Sequence, residues 1–248
     1  MFEPRDDLTI TIDGYLIDID DRIVLGAPLR AQDLVGFPEA QAFLVENQVG
    51  QVSFFANSID TRTRGVDVVL NHSGSLLQGH LNSNLAFSYN KTTVEDINAP
   101  EGVDGDLIFN DPSGRFIETG QPRTRVNLSF DWERDRLNTV LRANYLSSTK
   151  TSFFTRDGLG LPPFLPVNDD AFLKPGSAVL VDLEFAYRLT DHVQLAIGGN
   201  NLLDEEPNKL APDSGISFIS RGNIQFPMRG LAYGLNGGFY YARIALTF

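Results

Sequence analysis

The chain is predicted to be all-β: an antiparallel up-and-down meander of about eight long strands, forming part of a transmembrane β-barrel. Three observations lead there. Apolar residues recur at every second position over long stretches, which places them on one face of a strand. The connections between these stretches alternate strictly between tight and long. Several stretches also exceed the roughly 9–11 residues that a tilted strand needs to cross a bilayer.

Strands are expected at 8–20, 51–73, 79–93, 119–132, 136–156, 175–190, 192–202 and 229–248. In 79–93, Leu81, Leu85, Phe87 and Tyr89 alternate with His80, Asn82, Asn84, Ala86 and Ser88. In 119–132, Val126, Leu128, Phe130 and Trp132 face away from Arg125, Asn127, Ser129 and Asp131. In 136–156, Leu137, Thr139, Leu141, Ala143 and Tyr145 oppose Asn138, Val140, Arg142 and Asn144. In 175–190, Val179, Val181, Leu183, Phe185 and Tyr187 oppose Leu180, Asp182, Glu184, Ala186 and Arg188. The tight connections fall at Ser73-Gly74-Ser75, Glu133-Arg134-Asp135 and Thr190-Asp191. The long ones are 21–50, 94–118, 157–174 and 203–228. In an antiparallel meander this collects every short turn at one end and every long loop at the other, the asymmetry of outer-membrane barrels. No internal repeat or linker divides residues 1–248, which read as one domain or one piece of one.

Composition narrows the function classes. Of 248 residues, 20 are Lys or Arg and 32 are Asp or Glu, a net charge of −12. Nucleic-acid binding, which relies on cations that neutralise phosphates, is not expected. Cysteine is absent and only three histidines occur, His72, His80 and His192, so thiolate chemistry is excluded and a histidine metal cage is disfavoured. No run of about 18 apolar residues marks a transmembrane helix. Residues 1–7 have neither the basic nor the apolar region of a secretory leader.

Catalytic and metal chemistry find little support. Asp104, Asp106 and Asp111 lie in a loop with seven acids and one base, but their spacing departs from a calcium-binding loop and fits a solvated loop better. Asp204-Glu205-Glu206 are neighbours in sequence, whereas glycosidase carboxylates face each other across a substrate. No histidine is placed to serve a nucleophile, and no cofactor or metal site is expected. Arg123, Arg125 and Arg142 fall on polar strand faces together with Asp182 and Glu184. In a barrel these would line the lumen. They would either attract an anionic solute or acidic plug, or pair with Asp131, Asp182 and Glu184, since interior charges are normally partnered. Tyr145, Tyr187, Tyr240, Tyr241 and Trp132 sit near strand ends, where amphipathic rings favour a membrane interface.

Three segments resemble motifs of TonB-dependent outer-membrane receptors. In 54–68, Asn57, Thr61, Arg62, Gly65 and Asp67 match the "N-x-x-x-T-R-x-x-G-V-[DE]" strand. Asn201, Leu202, Asp204 and Pro207 match the "N-L-[FL]-D-[EK]-x-P" signature. Tyr240, Ala242, Ile244, Leu246 and Phe248 resemble the terminal strand ending on an aromatic residue. The run from Leu8 to Ile23 also fits. The resemblance implies a barrel of about 22 strands around a plug, of which this chain would form the carboxy-terminal third, entering at about the fifteenth strand. The plug and the energy-coupling box would lie outside it. It further implies a Gram-negative outer-membrane location with lipid against the wall, and import of a ferric siderophore, cobalamin or glycan. TonB would act only through the plug, and the barrel-assembly machinery would read the last strand. Two alternatives are a soluble secreted β-sandwich or barrel binding carbohydrate, and a closed eight-stranded adhesin or structural barrel. Gly198, Ala86, Ala178, Ala186 and Ser88 leave the polar face thin for the narrow lumen of the latter.

Overall fold

The computed structural model describes residues 2–26, 29–34, 36–99, 105, 109, 116–152, 172–211, 217, 220–227 and 230–247. Among the described residues eleven strands occur in chain order: β1 (Phe2–Arg5), β2 (Leu8–Leu25), β3 (Phe55–Leu76), β4 (Gly79–Ile97), β5 (Thr124–Arg134), β6 (Leu137–Leu146), β7 (Thr151–Ser152), β8 (Phe172–Leu173), β9 (Ala178–Arg188), β10 (Val193–Asn200) and β11 (Phe239–Leu246). Nine form one antiparallel sheet in the order β1-β2-β3-β4-β5-β6-β9-β10-β11, and β7 pairs only with β8. Sequential neighbours pair throughout, so each tight turn falls at one end and each long connection at the other. β3 and β4 keep their pairing from Ile59↔Ile97 to Leu76↔Gly79, with one register shift at Asp60.

Directly opposed residues of antiparallel strands share a face, so the register sorts the side chains. One row runs Ile12, Val68, Phe87, Val126 and Tyr145; another runs Leu141, Leu183 and Gly199. On the opposite face Asn71, Asn84, Ser129, Arg142 and Asp182 form a row. Among the described residues the apolar face is exposed. Ile12, Ile197 and Ile244 on the apolar face are 65%, 62% and 67% exposed. The core of the described residues is confined to a few positions, with Leu29, Leu34 and Leu44 clustering in a connection away from the sheet. A sandwich needs a second sheet packed on the first, and a closed barrel needs its end strands to pair. The described sheet does neither.

The expected faces hold, but the eight expected strands become nine in the main sheet and two in a separate pair. β1 is not among the expected strands, because Pro4 between the charged Glu3 and Arg5 hides a four-residue edge strand. The connection between β2 and β3 carries a helix, α1 (Pro38–Glu46), that opens with Pro at its first position, where a missing N–H costs nothing. Its Leu44 joins Leu29 and Leu34. The turn expected at Ser73-Gly74-Ser75 lies instead at Leu77 and Gln78, with φ of 48° and 63°, while Ser73, Gly74 and Ser75 stay paired in β3. The expected strand 136–156 stops at Leu146, where Ser147 N–H turns to the Thr124 carbonyl at 3.0 Å. The strand expected from 229 begins only at Phe239, after a glycine-rich run in which Gly230 and Gly237 have φ of 71° and 62°.

Candidate solute-facing surface and the motifs that shape it

The polar face carries the candidate groups, and the register sets their distances. Arg125, Arg142, Asp182 and Glu184 all lie on it. Arg123 sits one residue before β5, with its carbonyl accepting Asn90 N–H at 2.9 Å. The expected pairing of the three arginines with Asp131, Asp182 and Glu184 does not form. Asp131 accepts Asn138 Nδ2 at 2.6 Å. Asp182 accepts the Asn201 backbone N–H at 2.8 Å. Arg125 donates to Gln121 Oε1 at 3.1 Å.

Glu184 is taken from two strands away. The Tyr241 hydroxyl donates to its Oε2 at 2.6 Å, and Arg243 Nη2 donates to its Oε1 at 2.9 Å. β10 lies between, and the residue under this bridge is Gly198, opposed to Glu184 on one side and to Tyr241 on the other. A Cβ at Gly198 would stand 2.7 Å from the Tyr241 hydroxyl and 2.9 Å from the Leu183 carbonyl. Gly199 does the same on the apolar face, where a Cβ would stand 2.8 Å from the Tyr240 ring. Adjacent glycines thus seat adjacent tyrosines, one ring on each face. Tyr241, expected among the interface rings, belongs to the polar face instead. Tyr241, Arg243 and the glycine seats were the functional feature that sequence reasoning missed; two glycines interrupting a strand pattern were the available signal.

These groups line a cleft of about 440 Å3 that also holds Arg142, Asp182, Asn200 and Phe239. It brings two guanidiniums, two carboxylates and a phenol to one place. Toward the turns the polar face carries a ladder of amide and hydroxyl groups beside Asp131, with Asn84 Nδ2 donating to Asn71 at 2.7 Å and Ser73 Oγ to Asn82 at 2.9 Å. Such a surface offers hydrogen bonds and paired charges. Among the described residues no group of histidine and carboxylate side chains is arranged to hold a metal. Asp104, Asp106 and Asp111 lie outside the described residues.

Several of the motif residues make local structural contacts. Asn201 has φ of 51° and closes a ring with Glu205, donating Nδ2 to its carbonyl at 2.8 Å and accepting its N–H at 3.0 Å. Leu202 N–H bonds Val181 O at 2.7 Å. Asp204 accepts Gly238 N–H at 2.8 Å, drawing the start of β11 to the end of β10; Pro207 is buried. Of Asp204-Glu205-Glu206, the Asp204 carboxylate and the Glu205 backbone therefore serve a corner. Nearby, burial pushes the Tyr233 phenol up, with the Glu205 charge adding to the shift.

In β3, Asn57 pairs with Ile23, and Thr61 is 2% exposed. Arg62 lies on the apolar face, its Nε donating to Asp18 at 2.7 Å. Gly65 seats the Tyr15 ring, its cross-strand partner. Asp67 stands on the polar face between Asp13 and Ser88. In β11, Tyr240, Ala242, Ile244 and Leu246 share the apolar face, and Phe248 lies outside the described residues.

Comparison with known proteins places this geometry. The family described as "TonB dependent receptor-like, beta-barrel" matches residues 2–202. The outer membrane transporter YddB from Escherichia coli is similar in structure, with a TM-score of 0.60, 10% identity, and coverage of 99% of this chain and 31% of that one. The siderophore receptor PirA from Acinetobacter baumannii has a TM-score of 0.55 at 16% identity, covering 98% and 30%. The copper transporter OprC has 0.54 at 15% identity, covering 98% and 29%. The chain thus spans under a third of the length of these structures. No curated protein sequence matches it. A nine-stranded meander with motif-built corners, matched over most of its length, belongs to the TonB-dependent receptor β-barrel family.

Proposed function

We propose that residues 1–248 form the carboxy-terminal barrel wall and loops of an outer-membrane TonB-dependent transporter, with the plug and remaining strands supplied outside them. One observation carries this: a single antiparallel sheet with an exposed apolar face and a hydrogen-bonding opposite face, and no second sheet packed on it among the described residues. Lipid would cover the first and a plug or solute the second. Tyr89, Tyr145 and Tyr240 mark the loop end of the apolar face, and Trp132 and Tyr187 the turn end, as interfacial rings do. Along β4, the outward residues from Leu81 to Tyr89 span about 27 Å at ~3.4 Å per residue. At a tilt near 40° that is roughly 20 Å of height, comparable with the ~25 Å apolar band of such barrels.

In this reading Arg125, Arg142, Asp182 and Glu184 face the lumen, with Arg123 at its loop end. The solute is a ferric siderophore, cobalamin or glycan. TonB couples to the plug rather than to this wall, and the barrel-assembly machinery reads Tyr240, Ala242, Ile244, Leu246 and Phe248. The chain has no cysteine, so single-cysteine labelling in intact cells is clean. Glu206→Cys, in a long connection, is expected to react with a membrane-impermeant maleimide from outside. Asp135→Cys and Asp191→Cys, in tight turns, are expected to react only after the outer membrane is opened. Equal labelling of both sets from outside would refute the orientation.

A further inference from the structure

Asn236-Gly237 is the single Asn-Gly pair of the chain. It lies just before β11, with Asn236 exposed and Gly237 in left-handed backbone at φ 62°. Two groups there are uncommitted. Among the described residues nothing hydrogen-bonds to the Asn236 carboxamide, and the Gly237 N–H finds no acceptor. These are the two partners of succinimide chemistry, an amide carbon and the backbone nitrogen that follows it. Glycine has no Cβ to hinder their approach. Other asparagines in comparable settings are held. Ser58, which follows Asn57, is fully buried in β3. Asn82 accepts the Ser73 hydroxyl at 2.9 Å, and its successor Ser83 is paired on both sides in the sheet. Asn201 commits its carboxamide to the Glu205 backbone.

The position of Gly237 gives the chemistry a consequence. Its Cα packs against the Asp204 carboxylate, so that a Cβ would run into Asp204 Oδ1, with Glu206 Oε1 3.7 Å away. The same Asp204 oxygen accepts Gly238 N–H at 2.8 Å, one residue before β11 begins.

We infer that Asn236 is a site of self-catalysed deamidation, and that its isoaspartyl product loosens the corner between β10 and β11. The Gly237 nitrogen attacks Asn236 Cγ and gives up its proton as the new C–N bond forms. The carboxamide C–N bond breaks and ammonia leaves. Water then opens the succinimide ring. Attack at the side-chain carbonyl yields aspartate, and attack at the main-chain carbonyl yields isoaspartate. The balance is one water consumed and one ammonia released. Isoaspartate routes the main chain through Cβ, which adds one atom between residues 236 and 237. Gly238 N–H is thereby displaced from Asp204, and β11 loses the tie ahead of its first rung, Asn200↔Phe239. Either product also places a new negative charge close to Asp204 and Glu206, where like charges repel.

Ageing the folded, purified protein in mildly alkaline buffer tests this, with peptide mass spectrometry locating each converted asparagine and enzymatic methylation counting isoaspartate. Conversion at Asn236 is expected to run at least about tenfold faster than at Asn57, Asn82 or Asn201, which folded structure protects. Asn236→Ser removes the carboxamide and is expected to abolish isoaspartate in that peptide. The aged wild type should then lose its folded gel band at a lower temperature than the aged Asn236→Ser variant. Asn236→Asp carries the charge without the extra chain atom and is expected to shift that temperature less than isoaspartate does. Intact Asn236 in the folded protein, under conditions that convert it in the denatured chain, overturns the site. So does equal conversion at all four asparagines. Converted protein that keeps its full heat resistance overturns the effect on the corner.

Discussion

Leu183→Arg is expected to abolish assembly of the barrel, while Asn144→Arg is expected to be tolerated. Leu183 sits in the middle of β9, opposed to Leu141 and Gly199 on the apolar face. A guanidinium on the lipid side near the midplane costs about 2–4 kcal/mol, a large share of the stability of a typical folded domain. Asn144 lies on the other face between Asn127 and Leu180, where an added cation meets water and hydrogen-bonding neighbours. Glu184 is the adjacent polar-face residue, but it is a poor control. Arginine there would meet Arg243 and orphan the Tyr241 hydroxyl, so its failure would say nothing about lipid. Quantifying each variant in the outer-membrane fraction decides the matter; equal yields would mean that the faces are misassigned.

Gly198→Val should be the most damaging substitution on the polar face. Its side chain would enter the space filled by the Tyr241 ring and the Leu183 carbonyl. Overpacking of this kind costs about 1–3 kcal/mol, and losing the hydrogen bond to the Glu184 carboxylate adds about 1.5–3 kcal/mol. The loss falls on β11, whose backbone pairing within the described sheet is made through β10 alone and whose side-chain tie to β9 is the Glu184 bridge itself, so the last strand should detach first. The expected readout is a lower temperature at which the folded band disappears on a gel. Tyr241→Ser removes the ring that clashes. Combined with Gly198→Val it should cost clearly less than the sum of the two single changes, the signature of a shared contact. Strict additivity would show that Gly198 does not seat the ring.

What was legible in the sequence was whatever depends on a period of two. The faces of β4, β5, β6 and β9 follow from alternation alone, because a one-residue error would invert every side chain. The alternation of tight and long connections followed for the same reason. Legibility failed where identity and geometry part company. Leu77 and Gln78 adopt left-handed backbone that favours glycine or asparagine, while the nearby Ser-Gly-Ser keeps its place in a strand. Helix α1 escaped notice because its connection was weighed as a loop and Leu44 finds its partners only in three dimensions. The charge pairing on the polar face was misjudged for a related reason. Composition named the arginines, but register and a missing Cβ at Gly198 hand Glu184 to Arg243 and Tyr241. The motif residues Asn201, Asp204 and Gly65 were found as a pattern. Their corner and ring-seating contacts needed coordinates.

The most direct test of the central claim is a nitroxide accessibility scan along β9, one cysteine at a time from 179 to 187, in the assembled protein in bilayers. Collision with oxygen, which concentrates in lipid, is expected to peak at 179, 181, 183 and 185. Collision with a water-soluble nickel complex, or burial from both reagents, should mark 180, 182, 184 and 186. Two profiles of period two in opposite phase would establish one wall facing lipid and the other facing the interior. Profiles in the same phase, or high access to the nickel complex at 181, 183 and 185, would contradict a membrane-spanning wall.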